Sequence, residues 1–212
     1  LFRSPLTKTA LYSRCMIVCE NIVLGYHGNT ILENLSFRLE RGEKACINGT
    51  SGKGKTSILK MLQGYVTPDA GRIIVADKEL SSGTVHEIRR RIAWVPQNID
   101  LPVRNGKELM TLLGIQEEED RVGACLRKLG LPEGLTSHPF DEISGGQKQR
   151  VIISICLALD REIILMDEPT ASLDDDSITK LIGLVESLEG KTILSASHNR
   201  QWHAHTQKLI EL

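Results

Sequence analysis

The octapeptide Gly49-Thr50-Ser51-Gly52-Lys53-Gly54-Lys55-Thr56 matches the pattern G-x-x-x-x-G-K-[ST]. An apolar strand pattern, Ala45–Ile47, precedes it, and a helical pattern, Ser57–Leu62, follows it. Glycines let backbone N–H groups turn inward around phosphate oxygens, and the start of a helix adds unpaired N–H donors and a favourable dipole. We expect Lys55 to reach the β- and γ-phosphates of a nucleotide and the Thr56 hydroxyl to bind Mg²⁺. The motif therefore predicts a phosphate cradle between a strand and a helix.

A second candidate half of the site lies further along the chain, where the apolar strand pattern Ile163–Met166 ends in two acids. Asp167 is expected to hold Mg²⁺, directly or through water. Glu168 is placed one residue further on, where it could polarise an attacking water. Pro169 then ends the strand, because proline cannot continue a ladder of hydrogen bonds.

The order of elements predicts an α/β fold with an inserted helical block. From Met16 to about Ala76 the chain reads mainly as short strands, interrupted by one helix from about Lys55 to Gln63. From about residue 101 to 159 the pattern is helical and more polar. Strands and helices alternate in the second half, which favours a parallel sheet with crossover helices. The last predicted strand is Lys208–Leu212.

Composition narrows the class of protein. The chain has 212 residues and a net charge of −1, with no basic excess that would suggest a general nucleic-acid binder. No apolar run approaches the roughly 18 to 20 residues that span a bilayer, and the longest, Val151–Leu159, is better read as a buried helix. Five cysteines occur without any C-x-x-C pair, so we expect no zinc site and a reducing, cytosolic compartment.

The first 15 residues differ from the rest of the chain. They lack the apolar middle of a signal peptide, and Met16 opens a clean strand pattern. We therefore expect a domain from 16 to 212, with 1–15 either a leader outside it or a disordered arm.

The segment Ile143-Ser144-Gly145-Gly146-Gln147-Lys148-Gln149-Arg150 resembles the L-S-G-G-Q signature of ATP-binding cassette (ABC) ATPases, with Ile143 in place of the leading leucine. Ser144 and two glycines at a helix start form a second anion-binding terminus, which is redundant for one nucleotide. It makes sense if this helix caps the γ-phosphate held by another copy. The resemblance thus implies a head-to-tail dimer with two ATP molecules at its interface.

Other positions match the family in order. Tyr26 lies where the family places an aromatic that stacks on adenine, although a core or surface tyrosine is the alternative. Gln97 matches a glutamine that ligates Mg²⁺ and senses the transport subunit. Asp174 belongs to a loop, 171–174, that crosses to the partner copy. His198 matches a histidine that contacts the γ-phosphate, where a lone histidine after a strand would otherwise be a surface residue.

The resemblance, which covers roughly Met16 to Leu212, implies a P-loop NTPase core with a mostly parallel sheet, an antiparallel β subdomain and a helical subdomain at about 100–160. The expected catalytic residues are Lys55, Gln97, Glu168 and His198. The expected magnesium ligands are Thr56, Gln97 and Asp167. The expected nucleotide-binding residues are Tyr26, Gly49, Thr50, Ser51, Gly52, Lys53, Gly54, Lys55, Thr56, Ser57, Ser144, Gly145, Gly146, Gln147 and Asp174.

The function implied is ATP hydrolysis that powers an ABC transporter through ATP-driven dimer closure. The implied partners are a second copy of the chain and separate transmembrane subunits, at the cytoplasmic face of the inner membrane, with no direct nucleic-acid contact. One alternative is a soluble ABC ATPase acting on nucleic acid or ribosomes. The long coiled coils and zinc modules of the DNA-repair relatives are not found in this sequence. A second alternative is a cassette that does not hydrolyse ATP.

Three further features have a plain structural interpretation, and for two of them a functional alternative exists. His198, His203 and His205 cluster with Trp202, which suggests a metal site or simply surface histidines. The acidic run 117–120 is read as a solvated helix start. Lys53 either points to solvent or touches a phosphate.

Overall fold

The computed structural model describes residues 14–26, 28–97 and 102–212 of the chain. The strands are β1 (Cys15–Tyr26), β2 (Asn29–Glu40), β3 (Lys44–Asn48), β4 (Ala70–Val75), β5 (Lys78–Glu79), β6 (Ile92–Val95), β7 (Ile163–Asp167), β8 (Thr192–Ala196) and β9 (Lys208–Glu211). The α-helices are α1 (Lys55–Leu62), α2 (Val85–Arg89), α3 (Gly106–Leu113), α4 (Glu119–Lys128), α5 (Gly145–Ala158), α6 (Asp175–Glu186) and α7 (Arg200–Ala204). Short 3₁₀ helices span Gln116–Glu118 and Glu133–Ser137.

The strands form two sheets of different kinds. One is antiparallel, in the order β2-β1-β4-β5, and the other has the order β6-β7-β8-β3-β9 with every pairing parallel. The parallel sheet needs a crossover between each pair of strands, and the alternation of strands and helices supplies these crossovers. The predicted α/β class, with a mostly parallel sheet, an antiparallel β subdomain and inserted helices, is confirmed.

The central strands β7 and β8 of the parallel sheet are buried on both faces. All residues of β7 and β8 are buried, in agreement with the continuous apolar pattern Ile163–Met166 that predicted β7. Alternate residues of β7 enter different cores, because successive side chains of a strand point to opposite faces. Ile163 and Leu165 pack with α1 and the antiparallel sheet. Ile164 and Met166 pack with the helices from α3 to α7.

The helical block, made of α3, α4, α5 and the 3₁₀ helices, contributes buried side chains such as Leu109, Leu126 and Val151 to that second core. Helix α5 is its longest member, and its residues from Val151 to Cys156 are all buried. The apolar run Val151–Leu159 is thus a buried helix, as expected. Within the described residues, no helix combines the length and the apolar character needed to cross a membrane.

The structure also corrects details of the sequence-based boundaries. Strand β1 begins at Cys15, one residue before the expected start at Met16. The acidic run 117–120, expected at the start of a helix, spans the junction between a 3₁₀ turn and α4. Helix α7 was not predicted, because its five residues are too few for a helical period to show in the sequence. The assignment of residues 1–13 as a leader or arm lies outside the described residues.

Candidate functional site

An open cavity of about 570 Å³ lies at the carboxyl ends of the parallel strands. The loops that follow β3, β6, β7 and β8 all reach it, since parallel strands end at the same edge of their sheet. The residues that line it are Ile31, Gly49, Thr50, Ser51, Gly52, Gly54, Lys55, Thr56, Ser57, Gln97, Glu168, Ala171 and His198. The cavity therefore combines the phosphate-cradle motif with residues that lie far from it in sequence.

The cradle depends on a close approach between its backbone and β2. Gly54 has a φ of +90°, in the left-handed region that favours glycine. A Cβ atom at this position would lie 2.8 Å from Cγ2 of Ile31, so a side chain there would collide. Helix α1 begins immediately afterwards at Lys55, and its first turn contains no acidic residue. Its N-terminal dipole is consequently available to an anion in the cavity.

Lys55 lies inside the cradle. Its ammonium nitrogen donates to the carbonyl oxygen of Gly49 at 2.7 Å and lies 3.8 Å from Oε1 of Glu168. Both side chains are about nine-tenths buried, so their attraction is weakly screened by water. Lys55 therefore provides a positive charge beside the backbone of the cradle.

Glu168 has a strained backbone that several contacts hold. Its φ is +46°, which is costly for a residue with a side chain. Its N–H donates to the carbonyl of Ala196 at 2.8 Å, and its own carbonyl accepts from Nε2 of Gln149 at 3.2 Å. Oε2 lies 3.0 Å from Nδ1 of His198, which must donate when the carboxylate is ionised. The acid is thus fixed between a lysine and a histidine.

Asp167 ends β7 and is buried directly beneath the cradle. Burial raises the pKa of this carboxyl group, the negative charge of Glu168 raises it further, and a hydrogen bond from Thr56 opposes both effects. Oδ1 is a buried atom without a hydrogen-bond partner among the described residues. A buried carboxylate oxygen without a partner costs free energy unless a cation or donor meets it. Carboxylate and hydroxyl oxygens are the ligands that Mg²⁺ prefers, so the residues present fit this ion.

The signature segment does not line the cavity. Ser144 caps α5, accepting from the N–H of Gln147, and Gln147 returns a contact to the N–H of Ser144. A Cβ at Gly146 would lie 2.6 Å from the carbonyl oxygen of Ser172, so this glycine lets the loop before α6 touch the helix. Asp174 caps α6, and hydrogen bonds from Ser177 hold the pKa of its carboxyl group below the usual range.

Three other expected residues lie at or beyond the rim. Tyr26 is 40% exposed at the end of β1 and pairs with Asn29, two residues before Ile31 on the cavity wall. Gln97 lines the cavity and is exposed, and residues 98–101 after it lie outside the described residues. Lys53 is exposed and lies outside the lining.

The histidine cluster separates into individual contacts. His198 meets Glu168, His203 donates to the carbonyl of Ser197 at 2.9 Å, and His205 lies 2.9 Å from Oε1 of Glu186. Across 14–26, 28–97 and 102–212, no group of three or more histidine, cysteine, aspartate or glutamate residues could hold a metal ion.

Sequence reasoning gave three residues no individual role in the site, although one of them, Ala171, begins the loop 171–174 that it singled out. Ile31 and Ala171 line the cavity, and the buried Gln149 holds the backbone of Glu168. Gln149 lies in the signature segment, so the motif marked its position but not its contact. No local pattern marks Ile31, since its role depends on how the antiparallel sheet packs on the cradle.

The buried carboxylate of Asp167 is expected to lower the stability of the folded chain near neutral pH. The pKa of Asp167 is higher in the folded chain than in the unfolded chain. The group therefore contributes its full stabilisation below the pKa of the unfolded state, and this stabilisation is lost as pH rises through the pKa of the folded state. Asp167→Asn should therefore raise the melting temperature near neutral pH without divalent cation or nucleotide, and the gain should shrink in acid. Thermal unfolding followed by circular dichroism between pH 4 and pH 8 measures this. Asp174→Asn is the control with the opposite sign, since its pKa is lowered. A lower melting temperature for Asp167→Asn at neutral pH would contradict the prediction.

Comparison with known proteins agrees with the motifs. Residues 32–171 match the family model described as ABC transporter. The L-cystine transport system ATP-binding protein TcyN of Escherichia coli K12 is 32% identical over 200 residues, which cover 86% of this chain and 80% of that protein. The 2-aminoethylphosphonate import ATP-binding protein PhnT of Salmonella typhi, a putative assignment, is 31% identical over 195 residues, covering 87% of this chain. The chain spans only about half, 52%, of the length of that protein.

Solved structures show the same architecture. The dimeric structure of MJ0796, a bacterial ABC transporter cassette, superimposes with a TM-score of 0.84 at 28% identity, covering 93% of this chain and 94% of the other. The family match spans the segments that contain the cradle and the signature, and the structural match covers 93% of the chain. The chain therefore belongs to the ABC transporter family and carries its ATP-binding cassette, the ATPase domain of that family.

Proposed function

We propose that this chain binds ATP with Mg²⁺, hydrolyses it within a head-to-tail dimer, and thereby energises transport through separate membrane-spanning subunits. One observation carries the proposal. The cavity gathers Lys55, Glu168 and His198 around the phosphate cradle, whereas the signature segment, a second anion-binding helix start, lies outside it. A complete site thus needs a surface from another copy.

ATP binding follows from the cradle and its surroundings. The amides of 49–54 and the start of α1 suit the phosphates, and Lys55 supplies the charge. Tyr26, which pairs with Asn29 at the end of β1, would stack on the adenine ring. Thr56, Gln97 and Asp167 would hold Mg²⁺, which neutralises charge on the phosphate oxygens.

Hydrolysis depends on the pair formed by Glu168 and His198. The carboxylate of Glu168 can accept a proton from a water that attacks in line with the terminal phosphate. When its ring carries a proton on both nitrogens, His198 can donate to Glu168 through Nδ1 and to a phosphate oxygen through Nε2. Lys55, 3.8 Å from Glu168, lies where it can offset the charge that develops during transfer.

The dimer supplies the remaining donors. The exposed Ser144 and Gly145, together with Gly146 and Gln147 at the start of α5, would face the γ-phosphate bound by the partner copy. Asp174, in the loop that touches α5, would lie at the same interface. The solved cassettes with this fold include dimers, one of them described as a post-hydrolysis state bound to ADP and Pi. Hydrolysis would remove the γ-phosphate and release the two copies.

Transport is supported by the relatives. TcyN is described as an L-cystine transport system ATP-binding protein, and CbrD of Dickeya dadantii, 31% identical and covered over 73% of its length, as an achromobactin transport ATP-binding protein. By analogy, we place this chain at the cytoplasmic face of a membrane, bound to spanning subunits that determine the cargo. The near-neutral charge argues against direct contact with nucleic acid.

Glu168→Gln is expected to lower the turnover of ATP by about 10² or more, because the amide cannot accept the proton of the attacking water. ATP binding should persist, since the substitution leaves the cradle unchanged. Phosphate release and calorimetric titration with ATP measure the two properties. Glu162→Gln, just before the opposite end of β7, is the matched control. Near-normal turnover in Glu168→Gln would refute the assignment.

The proposed dimer implies that ATP binding and dimer formation can be separated by mutation. In the Glu168→Gln background, ATP with Mg²⁺ should convert the chain to a species of twice the monomer mass in analytical ultracentrifugation. Adding Ser144→Asp should keep the helix cap, because aspartate caps as well as serine, while placing a negative charge against the partner's phosphates. The doubly substituted chain should bind ATP and remain monomeric. If it dimerises as readily as Glu168→Gln alone, the signature segment does not face a nucleotide.

Affinity capture tests the transport role. The Glu168→Gln chain, loaded with ATP and Mg²⁺, is expected to retain a protein with several membrane spans from detergent-solubilised membranes of the source cells. The same capture with Ser144→Asp added is the control, since that chain cannot close around ATP. Recovery of ribosomes or DNA-bound proteins, with no membrane protein, would instead favour a soluble ABC ATPase.

A further inference from the structure

Helix α7 begins two residues after His198 and turns back onto the segment that carries this histidine. Asn199 caps the helix by accepting from the N–H of Trp202 at 2.9 Å. Two side chains of the helix, those of Trp202 and His203, then make hydrogen bonds to residues 195 and 197. The proposed hydrolysis assigns a role to His198 but none to α7.

Trp202 anchors the helix. Its side chain is almost fully buried, and Nε1 donates to the hydroxyl of Ser195 at 2.8 Å. That hydroxyl donates in turn to the carbonyl of Ala45 at 3.2 Å. The indole is therefore tied to both β8 and β3, which fixes the position of the next residue, His203.

His203 holds the residue immediately before His198. Its Nε2 lies 2.9 Å from the carbonyl oxygen of Ser197. Because a carbonyl only accepts, this ring nitrogen donates, and it does so in the Nε2–H tautomer or in the protonated ring.

Ser197 is restrained at its other polar groups as well. Its N–H donates to the carbonyl of Ile47 at 3.2 Å, and its hydroxyl accepts from the N–H of Asn199 at 3.1 Å. The hydroxyl of Thr170, from the loop after Glu168, lies 3.4 Å away. The bond from His203 completes this set and locks the peptide that leads into His198.

His198 itself receives little support from packing. Its side chain is 73% exposed, although it must keep Nδ1 within 3.0 Å of Glu168. An exposed ring is placed mainly by its backbone, so a small rotation of the 197–198 peptide would move the ring away from the carboxylate. Displacements of about 1 Å in a catalytic group can cost large factors in rate.

We infer that His203 is a positioning residue, which holds the peptide between Ser197 and His198 so that the His198 ring meets Glu168. The inference rests on the proposed role of His198 in ATP hydrolysis. The alternative is that His203 stabilises the fold with no particular effect on His198.

The test combines enzyme kinetics with a direct view of the His198 ring. His203→Ala should lower kcat by about tenfold while changing KM for ATP little, because the cradle is untouched. His203→Gln should recover turnover to within about twofold of the unchanged chain, since the glutamine amide can replace Nε2 as donor. His205→Ala, an exposed histidine beside the same helix, is the matched control and should stay within about twofold. His203→Asn replaces the alanine variant if that one does not fold.

A double-mutant cycle shows whether His203 acts through His198. In a His198→Ala background, His203→Ala should cause less than about a twofold further loss of kcat. Independently of turnover, the ring signal of His198 in a ¹H–¹³C spectrum, identified by its loss in His198→Ala, should shift in His203→Ala. It should not shift in His203→Gln or His205→Ala.

The outcomes separate the two proposals. If the unchanged chain does not hydrolyse ATP with Mg²⁺, the proposed function fails, and the His198 signal still decides the role of His203. An unchanged His198 signal in His203→Ala overturns the inference whatever happens to kcat. An equal loss of kcat with and without His198 also overturns it, since it marks a general effect on stability.

Discussion

The parallel register of β3, β7 and β8 is the constraint on which the site depends. Ile47 and Asp167 both pair with Ala196, so the three strands end within one residue of the same level. The first residue of the cradle, Glu168 and His198 each follow this level by one or two residues along their strands. A shift of one residue in either pairing would turn the side chains of a strand to the opposite face, and the buried apolar residues of β7 and β8 resist such a shift.

This arrangement concentrates charge where water is scarce. Lys55, Asp167 and Glu168 are all buried, and Glu168 adopts a backbone conformation unfavourable for its type. Burial raises the pKa of Asp167, so the folded chain holds this carboxylate at a cost in stability. Such costs concentrate at functional sites, where a ligand's charge can later offset them. The cost therefore falls on the residues that the proposed magnesium and phosphate contacts would use.

The sequence predicted those parts of the site that short motifs encode. Gly49–Thr56 and Asp167–Glu168 each combine a strand end with its chemistry in neighbouring residues, so their places followed from local pattern. Contacts between residues far apart in sequence gave no such signal. Gln149 reaches Glu168 across 19 positions, and His203 belongs to a helix too short to show a period. These contacts arise from tertiary packing, which a linear pattern does not record.

Helix α5 shows how far the local and distant contacts depend on each other. Its first turn touches the carbonyl of Ser172 at Gly146, where only a glycine fits, and five residues after its cap Gln149 binds the carbonyl of Glu168. One rigid helix thus contacts both the loop before α6 and the backbone of the strained acid. Because both contacts are to main-chain atoms, α5 cannot move relative to the parallel sheet without changing one of them or carrying Glu168 with it. A change in the position of the helical block is therefore coupled to the geometry of the proposed hydrolytic site.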